Sequence, residues 1–190
     1  IRVERAVRRH DAADRNHRDM HATRRQLLIE REGETAQGRL AEGERSPRVF
    51  VWSAETLVIT IVLDGPARDL IEFGEFVDPK RTIKAELKFP LTAPTSVEAA
   101  LKRVRNPEHP EITTCFVCHD DEQDDLALAG SRSSLALRPA PSGLVDIASL
   151  PQEYERCDRQ AEPARCRWLE ALMSHGPVEH GAFDSSLPVF

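Results

Sequence analysis

Cys115, Phe116, Val117, Cys118 and His119 place two thiols three residues apart, with an imidazole directly after the second. Two such thiols can each add to one vinyl group of the same haem, and the histidine that follows then lies beneath the iron as an axial ligand. The tight spacing matters because one turn of backbone must serve three bonds to one rigid macrocycle. Histidine makes up 7 of 190 residues, so a random C-x-x-C pair would be followed by His only about once in 27 cases. Two other chemistries compete for the same thiols. Cys115 and Cys118 with two of Cys157, Cys166, His175 or His180 would form a tetrahedral zinc ligand set, although Cys157 and Cys166 are spaced more widely than in a zinc knuckle. The third reading is two structural disulfides, with His119 adjacent by chance.

Residues 115–119 resemble the haem-attachment motif of the c-type cytochromes, and the resemblance covers nothing else in the chain. It implies one covalent haem c, held by thioethers to Cys115 and Cys118, with His119 as the proximal iron ligand. It also implies attachment outside the cytoplasm, and with it a role in electron transfer. The long β-rich region ahead of the motif departs from a small cytochrome c, so the family's fold is not carried over.

A low-spin electron carrier needs a second axial ligand. His175 ranks first and Met173 second, because both lie at the end of the last expected helix, far enough beyond His119 for the chain to return over a haem. Met would raise the potential relative to His. Each has a plainer reading: Met173 shares its helix with Leu169 and Leu172 and fills a core equally well, and His175 complements a helix C-terminus. His180, His109, His10, His17, His21 and Met20 are the remaining candidates, and a ligand from another subunit is an open alternative. An apolar pocket could draw on Phe116, Val117, Leu126, Leu128, Leu144, Val145, Ile147, Trp168, Leu169 and Leu172. Asp120, Asp121, Glu122, Asp124 and Asp125 follow the motif and read either as an acidic rim that steers a basic redox partner or as a solvated loop.

The second cysteine pair, Cys157 and Cys166, falls at the edges of two expected helices with Glu162-Pro163 between them. A disulfide there would clamp a helix–turn–helix and contribute roughly 2–3 kcal/mol. A disulfide and a thioether motif both call for an oxidising compartment, periplasmic or extracellular.

These residues must be held by the surrounding elements. Residues 1–25 read as a polar, Arg-rich arm with a thin apolar stripe. Residues 26–92 read as a β-rich domain, with strands expected at Gln26–Glu30, around Val49–Trp52, Glu55–Leu63, Leu70–Phe76 and Thr82–Phe89. In the last of these Ile83, Ala85, Leu87 and Phe89 alternate with Lys84, Glu86 and Lys88, which predicts one buried and one wet face. Residues 93–190 read as a helical and loop segment that binds the haem. Thr95 or Ser96 caps a helix to about Arg105, residues 129–143 form a long loop, Ser149 with Pro151 starts a helix, and Glu162-Pro163 starts another that stops at Gly176. The class is therefore α+β, with a sandwich- or barrel-like sheet followed by a mainly helical segment.

The net charge of −6 is uneven: residues 1–46 hold eleven Arg against nine Asp or Glu, leaving −8 on the rest. Acidity with scattered Arg argues against nucleic acid as a partner. The longest apolar-rich stretch, Leu57 to Leu63, is strand-sized, so no transmembrane segment is expected. No nucleophile–base set or phosphate loop stands out, and no enzyme is expected. The leading function is a monohaem electron-transfer cytochrome, acting alone or within a larger redox assembly, with a homo- or hetero-oligomer equally open. The alternative is a disulfide- or zinc-stabilised structural or binding protein of the cell envelope.

Overall fold

The computed structural model describes residues 25–30, 47–53, 55–65, 67–174, 176 and 178–190. Of the expected arm over 1–25 only Arg25 lies within them. Five strands come first: β1 (Arg25–Glu30), β2 (Arg48–Trp52), β3 (Leu57–Val62), β4 (Leu70–Asp78) and β5 (Arg81–Lys88). Helix α1 (Val97–Arg103) follows, then a 3₁₀ turn at Thr114–Val117 and strands β6 (Gln123–Asp124), β7 (Arg132–Leu135) and β8 (Leu144–Val145). Helices α2 (Ser149–Arg156) and α3 (Pro163–Met173) and strand β9 (Val178–His180) complete the order.

The α+β class is as expected. The strands form one nine-stranded sheet in the order β6-β7-β5-β4-β3-β2-β1-β8, with β9 beside β1. This single sheet stands in place of the sandwich or barrel, for a physical reason. The apolar face that would have called for a second sheet is covered by α2 and α3. The segment after residue 92 is also less helical than expected. Its strand β7 pairs with β5, and β8 and β9 pair with β1, so both segments share the sheet. Strand β7 lies inside the expected loop. Its Arg-Ser-Ser-Leu sequence has loop composition, but Arg81 ties it down by donating to the Ser133 hydroxyl (3.2 Å) and carbonyl (2.7 Å).

Side chains alternate across a strand, so the register sorts residues into two faces. Val49, Val51, Ile59, Ile61 and Ile71 share one face with Leu150, Trp168, Leu169 and Leu172 of the helices. Leu169 and Leu150 are almost fully buried there, and each contributes about 2–5 kcal/mol by the usual cost of truncating a core leucine. Trp168 stacks on Phe89 at 4.2 Å and donates its indole N–H to the Arg68 carbonyl (2.9 Å). Cys157 and Cys166 are joined in a disulfide as expected, with Cα atoms 5.7 Å apart. Beside it the buried Arg165 guanidinium pairs with Glu153 and with Glu162 (3.3 Å), so its charge is compensated.

The opposite face carries Arg48, Phe50, Thr60, Glu72, Thr82, Lys84 and Glu86. The alternation of β5 is as expected, but its second face is wet only at the Lys88 end. Thr82 and Glu86 are 4% and 3% exposed. Helix α1 lies over them: Ser96 caps it by accepting from the Ala99 N–H, and Arg103 reaches Glu86 at 3.0 Å. The 3₁₀ turn completes this cover.

Candidate functional site

The turn at Thr114–Val117 is built by local hydrogen bonds. Thr113 caps it, its hydroxyl accepting from the Cys115 N–H (3.1 Å). The Cys118 and His119 N–H groups both return to the Cys115 carbonyl, at 3.2 and 2.9 Å. This winds both thiols and the imidazole around one turn. The turn is anchored at each end. Thr114 N–H donates to the Val104 carbonyl at the end of α1 (2.8 Å), and Leu135 N–H at the end of β7 donates to the Asp120 carbonyl (3.2 Å).

The acidic run after the motif is largely structural. The Glu122 side chain is 2% exposed; it accepts from the Thr113 N–H (2.8 Å) and hydroxyl and pairs with Arg132 at 3.4 Å. Asp121 has φ 58, the left-handed region that Asp tolerates better than most residues. Its carboxylate pairs with Arg81 at 2.6 Å, and its carbonyl takes a second bond from the same guanidinium. Hydrogen bonds from Gln123 and then Arg81 hold the Asp121 carboxyl below its usual range. Asp124 pairs with Arg132 at 2.6 Å, and the Asp125 carboxylate accepts from the Ala127 and Leu128 N–H groups.

Between the turn and the sheet lies a cavity of about 120 Å³, lined by Cys115, Cys118 and His119 on one side and by Arg48, Thr60, Glu72, Lys84 and Glu86 on the other. Neither cysteine of the motif is in a disulfide. Burial pushes the Cys115 thiol up to about 11; Lys84 pulls the other way, and Glu72 adds to the rise. Burial also lowers the Lys84 ammonium to about 8, against raising contributions from Cys115 and Glu122. Its Nζ donates to the Thr82 hydroxyl and, at 3.4 Å, to the Ser134 hydroxyl.

His119 is the most perturbed group among the described residues. Burial, then the positive charge of Lys84, lowers it to about 3, and the Leu135 carbonyl only partly offsets this. The imidazole is therefore neutral at ordinary pH. Its Nδ1 lies 2.9 Å from the Leu135 carbonyl. A carbonyl only accepts, so Nδ1 carries the proton and Nε2 is left with a lone pair. That is the tautomer and the backbone contact typical of a metal-ligating histidine.

The other expected site residues stand elsewhere. Met173 packs into the apolar layer between the helices and the sheet, on the face away from the motif. It does the work of a core side chain there. His175 lies outside the described residues. His180 is an exposed residue of β9 and His109 an exposed residue after α1. Cys157 and Cys166 spend their sulfurs on each other, which removes them from any zinc set. No group of three or more His, Cys, Asp or Glu suited to a metal occurs among the described residues. The apolar lining does not come from most of the expected residues: Phe116, Val117 and Leu126 point outward, at 38%, 74% and 99% exposure, and Trp168, Leu169 and Leu172 lie on the other face, while Phe50, Val58, Phe76, Val104, Phe183 and Phe190 line the cavity and Leu144 packs beside Phe50. The residues missed at sequence level are Arg48, Glu72, Lys84 and Glu86. The register gave one clue, since it sets Glu72 opposite Glu86 and Gly74 opposite Lys84 on a single face.

Comparison with protein-family models, characterised proteins and solved structures gives no match. Among the described residues no helix is long and apolar enough to cross a membrane.

Proposed function

We propose that this chain is a c-type cytochrome of an oxidising compartment, periplasmic or extracellular, that carries one covalent haem and transfers electrons, alone or as a subunit of a larger redox assembly. The observation that carries this reading is the state of His119. It is neutral, its Nδ1–H is committed to the Leu135 carbonyl, and it follows on one turn two cysteines that no disulfide joins. The donor chemistry thus fits a haem. Cys115 and Cys118 would hold it through thioethers, and His119 would present Nε2 to the iron. When bound, the haem supplies a one-electron couple.

The chain's own residues prepare this site. Leu135 fixes the imidazole tautomer and ring orientation. Glu122 and Thr113 pin the turn from behind. The charged floor of Arg48, Glu72, Lys84 and Glu86 lies against the site and is a lever on its potential. Around the motif Asp121 and Asp124 remain exposed although paired, with side chains 57% and 78% accessible, which supports a basic surface on the redox partner.

Thiol–disulfide exchange is less well supported. A catalytic C-x-x-C pair needs a thiol made acidic by its surroundings, and Cys115 is pushed to about 11. A zinc-held module is also less well supported, because the disulfide consumes two of its candidate ligands. A pyridine haemochrome spectrum of the denatured protein, purified after secretion in a host that matures c-type cytochromes, tests the reading. A haem c spectrum is expected. Its absence leaves the disulfide-stapled binding protein as the account of the fold.

A further inference from the structure

Lys84 carries a buried charge that its surroundings compensate only in part. Burial lowers its ammonium to about 8, against the raising effects of Cys115 and Glu122. Among the described residues its hydrogen bonds run to two neutral hydroxyls, those of Thr82 and Ser134. An ammonium has three donors, so one is left for a further acceptor. Glu122, the carboxylate that acts on it, is itself paired with Arg132 at 3.4 Å.

Lys84 lines a second cavity, of about 180 Å³, between the end of α1, the loop that follows it and the paired strands β6 and β7. Arg105 stands at its rim. This residue is exposed, and among the described residues its guanidinium makes one side-chain hydrogen bond, a long one to the Gly130 carbonyl (3.5 Å). Gly130 leaves the space in which that guanidinium lies: at its φ of +80 a Cβ would meet the Arg105 Nη2 at 2.7 Å. Arg132, the third cation of the lining, is spent on Glu122 and on Asp124 (2.6 Å). Asp124 lines the cavity as well, but its carboxylate is turned to Arg132 and its side chain is 78% exposed. Three cations therefore meet two carboxylates here, and the two cations without a carboxylate partner, Lys84 and Arg105, face the same space. A single water needs only about 10–15 Å³ of such volume, so a tetrahedral oxyanion fits, whereas ordinary small-molecule pockets run to roughly 300–1,000 Å³. A guanidinium fork grips two oxygens of one anion, and an ammonium adds a point charge to a third.

We propose that this second cavity binds a phosphate group, free or at the end of a small ester, held between Arg105 at the rim and Lys84 on the sheet. The site does not depend on what occupies the motif, although Lys84 lines both cavities. Inorganic phosphate is titrated into the full chain as purified, by calorimetry at pH 7, with sodium chloride of equal ionic strength as the blank, because salt screens attraction to surface cations alike in both. One saturable site is expected for phosphate and none for chloride. Arg105→Gln and Lys84→Met should each weaken binding about ten-fold or more, since each removes a charged donor. Lys102→Gln, an exposed cation of α1 outside the cavity, should leave it unchanged. Phosphate should also raise the urea midpoint of the wild type and leave that of Lys84→Met where it was. A midpoint for Lys84→Met at or above the wild-type value without phosphate shows that its loss of binding is not a loss of fold. Methyl phosphate bound as tightly as inorganic phosphate assigns the site to an ester, and methyl phosphate bound more weakly assigns it to the free ion. No heat beyond that of chloride, or an affinity unchanged in Arg105→Gln or in Lys84→Met, overturns the proposal.

Discussion

Replacing His119 by Asn should make the haem-free chain less sensitive to acid, by an amount that follows from the burial of the imidazole. An asparagine amide can still donate to the Leu135 carbonyl from nearly the place of Nδ1, so the variant keeps the local contact and loses only the titrating ring. In the unfolded chain histidine titrates near 6.5, and in the fold His119 is lowered to about 3. The folded form therefore stays neutral while the unfolded form takes up a proton as pH falls below 6.5. The stability due to the neutral buried ring is fully present above pH 6.5 and is lost progressively down to about 3. At pH 5 the loss amounts to about 2 kcal/mol, since each pH unit below 6.5 costs about 1.4 kcal/mol. Urea denaturation of both proteins at pH 7, 6 and 5 measures it. The wild type should lose about 2 kcal/mol more than His119→Asn between pH 7 and 5. Parallel pH profiles would refute the reasoning, because they would mean that the imidazole is solvated and free to protonate in the fold.

Three further outcomes follow from the same geometry. Lys84→Met should stabilise the haem-free chain at pH 7 by up to about 3 kcal/mol, because holding a buried ammonium whose pKa falls from 10.5 to about 8 costs that much; the gain should shrink between pH 8 and 10.5, as read by denaturation at each pH. Replacing Cys157 and Cys166 together by Ala should cost roughly 2–3 kcal/mol in urea without changing the reactivity of Cys115. Glu122→Ala leaves the Thr113 N–H and the Arg132 guanidinium without their buried partner, so it should cost about 1–3 kcal/mol in urea and loosen the turn.

Much of the frame was legible in the sequence because it rests on local patterns. The alternation of Thr82–Phe89, the cap at Ser96, and the Pro163 start with its Cys166, Leu169 and Leu172 stripe all appear as elements close to where they were expected. What could not be read was which partner each face meets. Lys84 and Glu86 look like a solvated stripe from their own strand, yet α1 and the motif turn close over them, and only the tertiary arrangement tells a cavity from water. Met173 was rightly placed at the end of a helix, but the helix packs on the far side of the sheet from His119. Strand β7 was hidden by its serines, whose pairing comes from Arg81, more than fifty residues away along the chain. Glu122 looked like one carboxylate in an acidic run; its distinction is that it turns inward, which spacing alone does not encode.

The motif itself was the clearest feature of the sequence, and the fold adds that no disulfide joins its two cysteines and that its histidine is neutral with Nδ1 committed. The intact mass of the secreted protein tests the central claim most directly. A mass greater than the polypeptide by one haem, lost on replacing Cys115 and Cys118 by Ala, is the predicted result. A mass equal to the polypeptide alone, from a host that matures other c-type cytochromes, would contradict it.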